Sequence, residues 1–202
     1  MFTGIIEEVG IVKRMEHVSD QAVKLEIGSD NVIADISTGD SIAVNGICLT
    51  VTDFTSEHFQ VDAMPETITS TSLNALTLGS KVNLERAMAA DGRFGGHFVS
   101  GHVDDTGRII RKEKQENAVY YDIQIAKELT PLFIKKGSVA VDGISLTIFH
   151  VEKHTFTISL IPHTVSETTL GEKREGDIVN IECDMLAKYI QQMLKQQDNR
   201  EI

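Results

Sequence analysis

Thr50, Thr67, Thr147 and Thr164 could offer hydroxyls to a polar heterocycle or a polyol, and Gly4 and Gly101 would let a flat ligand approach the backbone. One rim for such a ligand would draw on Gly4, Ile5 and Ile6, on Cys48, Leu49 and Thr50, and on Asp62, Ala63, Met64, Pro65, Glu66 and Thr67. A second would draw on Gly101, His102 and Val103, on Ser145, Leu146 and Thr147, and on Ser159, Leu160, Ile161, Pro162, His163 and Thr164. Threonine in strands and glycine in turns are also ordinary structural choices, so a ligand rim and a plain scaffold both fit these residues. Other chemistries are excluded more sharply. The chain has no GxxxxGKS or GxxxxGKT phosphate loop, no HExxH zinc helix and no GxSxG nucleophile turn. His97 and His102 are five apart, wrong for one helical face, and no third ligand supports them. Cys48 and Cys183 are the only cysteines and form no CxxC, so no metal is expected. Gly92-Arg93-Phe94-Gly95-Gly96 is rich in glycine but fits no strand–GxGxxG–helix unit, and reads as a linker.

The elements that must position these residues are written twice. Val44-Asn45-Gly46-Ile47-Cys48-Leu49-Thr50-Val51 returns as Val141-Asp142-Gly143-Ile144-Ser145-Leu146-Thr147-Ile148, an offset of 97 residues. The same offset carries Gly4 to Gly101, Ser41 to Ser138, Pro65 to Pro162, Thr67 to Thr164, and Val82-Asn83-Leu84-Glu85 to Val179-Asn180-Ile181-Glu182. The register needs a small gap only between about 12 and 38. A shared offset over this span means a duplicated module: residues 1–97 and 98–185, followed by a tail at 186–202.

Each module reads as strands. Residues 41–44 and 49–52 are β-branched on either side of Asn45-Gly46, a tight-turn signal. Residues 23–27, 58–63 and 81–85 alternate apolar and polar, and the opening 4–12 is apolar and punctuated by glycine. About six short strands per module, with turns every ~8–12 residues, predict an all-β chain of small closed barrels or sandwiches. Pro65 and Pro162 each follow a strand, where proline can open a helix or sit in a turn. The tail places Leu186, Tyr189, Ile190 and Met193 on one helical face, with Asp184 as its N-cap. That face could pack on its own barrel; because neither barrel needs it for closure, assembly with further copies is the favoured reading.

Composition narrows the function. The chain is 41% hydrophobic and 24% charged, as ordinary globular proteins are. Thirty acidic against nineteen basic residues give −11, which disfavours a nucleic-acid surface or a phosphorylated substrate. No apolar run approaches a membrane span, and Met1 to Glu8 lacks the basic and long apolar regions of a signal peptide. With two cysteines far apart, a reducing cytoplasm is the expected location.

Specific motifs then point to a family. Met-Phe-Thr-Gly-Ile-Ile-Glu-Glu-Val-Gly at the start, the Asn-Gly-Ile-Cys-Leu-Thr-Val segment, Gly-Gly-His-Phe-Val-Ser-Gly-His-Val at 95–103 and Asp-Gly-Ile-Ser-Leu-Thr resemble the riboflavin synthases of the alpha-chain type over essentially the whole chain. The resemblance implies two six-stranded Greek-key barrels in tandem, a C-terminal helix and a homotrimer. It implies a transferase that dismutates two molecules of 6,7-dimethyl-8-ribityllumazine, one donating a four-carbon unit and the other becoming riboflavin. No cofactor or metal is implied; association with a lumazine synthase is a possible partnership. Productive sites would lie between the N-terminal barrel of one subunit and the C-terminal barrel of a neighbour.

By motif position the resemblance makes both rims substrate-binding, adds Lys136 from the neighbouring subunit and Phe2 as a cover, and implicates Ser41, Cys48, His102, Ser145 and Asp184 in catalysis. Donor and acceptor play different roles, so useful residues should break the internal symmetry, as Ile5/His102, Gly39/Lys136, Cys48/Ser145 and Ala87/Asp184 do. His102 is the natural proton carrier, or a surface histidine shaping the Gly101 turn. Cys48 could add to a ring carbon, or be a small apolar filler. Ser145 would donate a hydrogen bond or activate water, and Asp184 would orient a partner or merely cap the helix. Two other classes stay open: a non-catalytic lumazine or flavin carrier of the same fold, and an oligonucleotide-binding barrel, which the negative charge and the lack of tryptophan oppose.

Overall fold

A computed structural model describes residues 1–19 and 22–198. The first half forms β1 (Glu8–Ser19), β2 (Ala22–Gly28), β3 (Ser41–Val44), β4 (Ile47–Phe54), β5 (His58–Ala63), α1 (Pro65–Ser70) and β6 (Lys81–Arg86). The second repeats it as β7 (Asp105–Gln115), β8 (Ala118–Gln124), β9 (Ser138–Val141), β10 (Ile144–Glu152), β11 (Thr155–Leu160), α2 (Pro162–Glu167) and β12 (Ile178–Cys183). Each set closes into an antiparallel barrel, in the order β1-β2-β5-β4-β3-β6 and its counterpart β7-β8-β11-β10-β9-β12. The meander β3-β4-β5 with β6 returning beside β3 is a Greek key.

Local sequence explains the closure. Asn45 and Gly46 both have positive φ, 47° and 78°, as do Asp142 and Gly143, 46° and 81°. Two such residues in a row make the turn whose twist matches a tight hairpin. Alternation then sends one face inward: Val23, Leu25 and Ile27 meet Phe59, Val61, Val82 and Leu84 in the first core. Tyr121, Ile123, Phe156, Ile158, Val179 and Ile181 fill the second. Pro65 and Pro162 stand at the first turn of α1 and α2. One expectation shifts: the first strand begins at Glu8, and Gly4 to Ile6 lie outside the sheet.

The barrels meet at their hairpin turns. A Cβ on Gly46 would fall 2.5 Å from the Gly143 nitrogen, so only glycine lets the turns touch. Asn83 and Asn180 stitch the joint: Asn83 Nδ2 donates to the Asp142 carbonyl (2.9 Å) and Asn180 Nδ2 to the Asn45 carbonyl (2.9 Å). Their Oδ1 atoms accept the backbone N–H groups of Thr169 (2.8 Å) and Ser72 (2.7 Å). Both amides are buried, and unpaired they would be costly.

The tail forms α3 (Met185–Asp198), capped as expected by Asp184 Oδ1 accepting from the Leu186 N–H (2.9 Å). Leu186, Tyr189, Ile190, Met193 and Leu194 are all more than half exposed. The apolar face therefore does not pack on its own barrel. Among the described residues no helix is long and apolar enough to cross a membrane.

Candidate functional site

The segment leading into each barrel docks on the other one. The Gly4 carbonyl accepts from the Ser145 N–H (2.7 Å), and the Gly101 carbonyl accepts from the Cys48 N–H (2.9 Å). Ile6 packs on the second core and Val103 on the first. Two buried carboxylates hold the crossing leaders. Glu85 accepts from the Thr3 N–H (2.7 Å), the Thr3 hydroxyl (2.8 Å) and the Gly4 N–H (3.0 Å). Glu182 does the same for Ser100 (2.7 Å from N–H and from Oγ) and the Gly101 N–H (2.9 Å). Burial pushes the Glu85 carboxyl up from its usual range, against the pull of its Thr3 and Gly4 hydrogen bonds.

This exchange corrects the grouping drawn from the repeat. Cys48 to Thr50 and Asp62 to Thr67 share a rim with Gly101, His102 and Val103. Ser145 to Thr147 and Ser159 to Thr164 share one with Gly4, Ile5 and Ile6. Antiparallel pairing of Val51 with Val61 and of Ile148 with Ile158 brings the strand ends of each rim together. Gly4 and Gly101 have φ of +78° and +80°, and a Cβ on either would come 2.6 Å from Ser145 Cβ or 2.5 Å from Cys48 Cβ. Gly101→Ala is expected to cost roughly 1–3 kcal/mol in backbone strain alone, with further loss from the overlap. Chemical denaturation checks this; a midpoint equal to the parent's would show that the leader can shift without cost.

Several predicted residues land differently from expectation. Phe2 covers no pocket: it is fully buried between the barrels, bridged to Val99 and packed with Ala43, Ala140 and Cys48. Leu49, Ala63 and Leu160 point into the cores, so only their backbones can face a rim ligand. Thr50, Asp62, Met64, Glu66, His102, Thr147, Ile161 and His163 are exposed. Cys48 and His102 line a concavity of about 600 Å³ with Ser100, Met185 and Tyr189. Ser41 lies in a separate cleft of about 400 Å³ with Thr3, Ile5, Arg86 and Arg93. Lys136 holds a left-handed φ of 68° where its repeat mate is Gly39. The five candidate catalytic residues thus do not converge within one chain.

One functional candidate was missed. His97 is buried, with Nδ1 2.7 Å from Ser145 Oγ, and its Nε2 has no hydrogen-bond partner among the described residues. Burial pushes the imidazole below its ordinary value, against the opposing charges of Asp184 and Glu182. The glycine-rich stretch read as a linker delivers it: a Cβ on Gly96 would come 1.9 Å from the Thr3 carbonyl oxygen and 2.9 Å from Ser145 Cβ. The signal available in the sequence was a histidine set directly after Gly95-Gly96 at the join of the two modules. Cys183, by contrast, is inert: burial, with Asp104 beside it, pushes its thiol up to about 12.

Two matching rims on two fused barrels, each completed by the other module's leader, define a tandem ligand-binding protein. The lumazine binding domain family matches twice, at residues 3–87 and 100–184. The chain is 60% identical to the riboflavin synthase of Bacillus subtilis (strain 168) over 194 residues, 96% of this chain and 90% of that one. It is 50% identical to the riboflavin synthase of Actinobacillus pleuropneumoniae over the same shares. The fold matches the crystal structure of LumP complexed with riboflavin at TM-score 0.83 and 25% identity, covering 91% of this chain and 99% of that one. LumP complexed with 6,7-dimethyl-8-(1'-D-ribityl) lumazine matches at TM-score 0.82 and 24% identity, over the same shares. The chain belongs to the riboflavin synthase family and carries two lumazine binding domains.

Proposed function

We propose that this chain dismutates two molecules of 6,7-dimethyl-8-ribityllumazine into riboflavin and 5-amino-6-ribitylamino-pyrimidinedione, working in the cytoplasm as a homotrimer that can associate with lumazine synthase. The observation that carries the reading is the pair of leader-completed rims in a chain of this family. The lumazine C7 methyl is acidic because its carbanion delocalises into the ring, so a modest base suffices. Holding two rings face to face can supply roughly 7–11 kcal/mol of the barrier. A positioned base adds roughly 10²–10⁴-fold.

The split of candidates over two rims supports a site shared between subunits. The first rim brings Cys48, Thr50 and His102; the second brings Ser145, backed by His97, with Thr147 and Thr164. Lys136, reaching from the neighbour, completes the first. In this reading Ser145 activates a water at the substrate, accepting the water's proton as it passes its own to His97, Asp184 tunes His97 by its charge, and His102 carries protons between the rings. Incubation with the lumazine should yield riboflavin and the pyrimidinedione one to one, two lumazines being consumed per turnover. Saturable binding with no riboflavin formed would instead support a carrier. The 60% identity to a synthase against 24% to LumP favours catalysis.

The exposed face of α3 links assembly to activity. Deleting residues 186–202 should leave both barrels folded, because every barrel strand ends before it. Oligomer order and turnover should fall together, measured by light scattering and assay. A truncated chain that is monomeric at assay concentration yet fully active would remove the intersubunit site.

A further inference from the structure

The joint between the barrels carries a second kind of pocket, away from both rims. A groove of about 570 Å³ runs across the internal two-fold, its walls supplied by matching residues of the two modules. On its floor stand Ser72 and Thr169, repeat mates that are only 7% and 6% exposed. The hydroxyls of both are buried, and neither makes a hydrogen bond among the described residues. Their backbone N–H groups are committed to the Asn180 and Asn83 amides, so the hydroxyls alone remain to be satisfied. Leaving two such groups unpaired is expensive, and a matched pair at symmetry-related places is not an accident of one loop.

The chemistry of the groove selects its occupant. A hydroxyl both donates and accepts, so a ligand hydroxyl satisfies it fully where a carbonyl or an ammonium would satisfy half. The lysines lining the groove are already paired, and its one further charge, Asp177, accepts from the Arg174 N–H (2.7 Å). Lys81 of one wall pairs with Glu172 of the other, and Lys173 lies 3.3 Å from the buried Asp142 carboxylate. Leu76 and Ile178 supply apolar surface for a carbon chain. We propose that this groove binds a short, uncharged polyol through Ser72 and Thr169.

Ribitol is the probe, followed by amide chemical shifts in the full chain. Saturable shifts at Ser72, Thr169, Gly79 and Gly176 are expected, with a Kd in the millimolar range. Ser72→Ala with Thr169→Val should weaken binding at least about tenfold while leaving the melting temperature equal or higher, since two unpaired hydroxyls are removed. Leu76→Trp should abolish binding by filling the groove with the hydroxyls intact. Shifts that rise linearly without saturating, or that fall on residues 48–50, 62–67 and 159–164 at the rims, would overturn the site. So would a double variant that is destabilised and binds ribitol unchanged, which would leave ordered water as the only partner of the hydroxyls.

Discussion

His97→Gln should lower turnover roughly 10²–10⁴-fold while leaving the binding of a substrate analogue nearly unchanged. The expectation follows from the 2.7 Å contact between His97 Nδ1 and Ser145 Oγ. Ser145→Ala should cost about as much, and the double variant no more than the worse single, because groups that act as a unit are not additive. The pH profile gives an independent reading. A base works in its neutral form, and burial holds the His97 imidazole below its ordinary value. The acid limb of turnover should therefore lie below the free histidine pKa of about 6.5 and vanish in His97→Gln. The same depression bears on folding. The native state binds fewer protons there than the unfolded chain, so stability is lost as pH falls from about 6.5 through the folded pKa. Near-normal turnover in His97→Gln, with the acid limb intact, would leave the contact structural.

Lys173→Leu should destabilise the fold by roughly 3–5 kcal/mol, the penalty for leaving a buried charge without its partner. Asp142 is fully buried at the joint, and its carboxylate lies 3.3 Å from Lys173 Nζ. The repeat mates Asn45 and Leu76 show the uncharged solution to the same place. Asp142→Asn added to Lys173→Leu should thus recover most of the loss, since the amide keeps the bond from the Asn180 N–H (2.7 Å) to Oδ1. Burial raises the Asp142 carboxyl above its ordinary value, against Lys173 and Asn180. Its contribution to stability is full below the unfolded pKa of about 3.9 and is lost as pH rises through the folded one. The penalty of the single variant should accordingly shrink on acidification. Equal melting temperatures for parent and Lys173→Leu at neutral pH would show that the pair carries no stability.

Much of this was open to inspection in the sequence because it is local. Asn45-Gly46 dictates its own turn, the alternation at 58–63 dictates a face, and the stripe from Leu186 to Met193 dictates an amphipathic helix. The crossing of the leaders was closed to such reading. An offset of 97 shows that Gly4 and Gly101 are equivalent; equivalence is preserved whether each leader docks at home or on the other barrel. Only the contacts with Ser145 and Cys48 decide. The rims were legible as segments and not as side chains, because a strand turns only alternate residues to one face. Leu49, Ala63 and Leu160 fell on the wrong alternation. His97 was hidden for a different reason: its partner is 48 residues away and its segment carries the glycines of a spacer.

The exchanged leaders also constrain how the chain could have come to be. A lone ancestral barrel would have carried a leader held on one side only, by its own buried carboxylate, and a rim with nothing to complete it. Pairing with a second copy would have met both needs at once, each lending its leader to the other about a two-fold axis. Joining the copies through the segment ahead of His97 turned an encounter that depended on protein concentration into one internal to the chain, at an effective concentration set by the connection. Once joined, the halves no longer had to be alike. Asp142 with Lys173 could arise opposite Asn45 with Leu76, and a histidine could be placed in the join itself, against Ser145 of the second half alone.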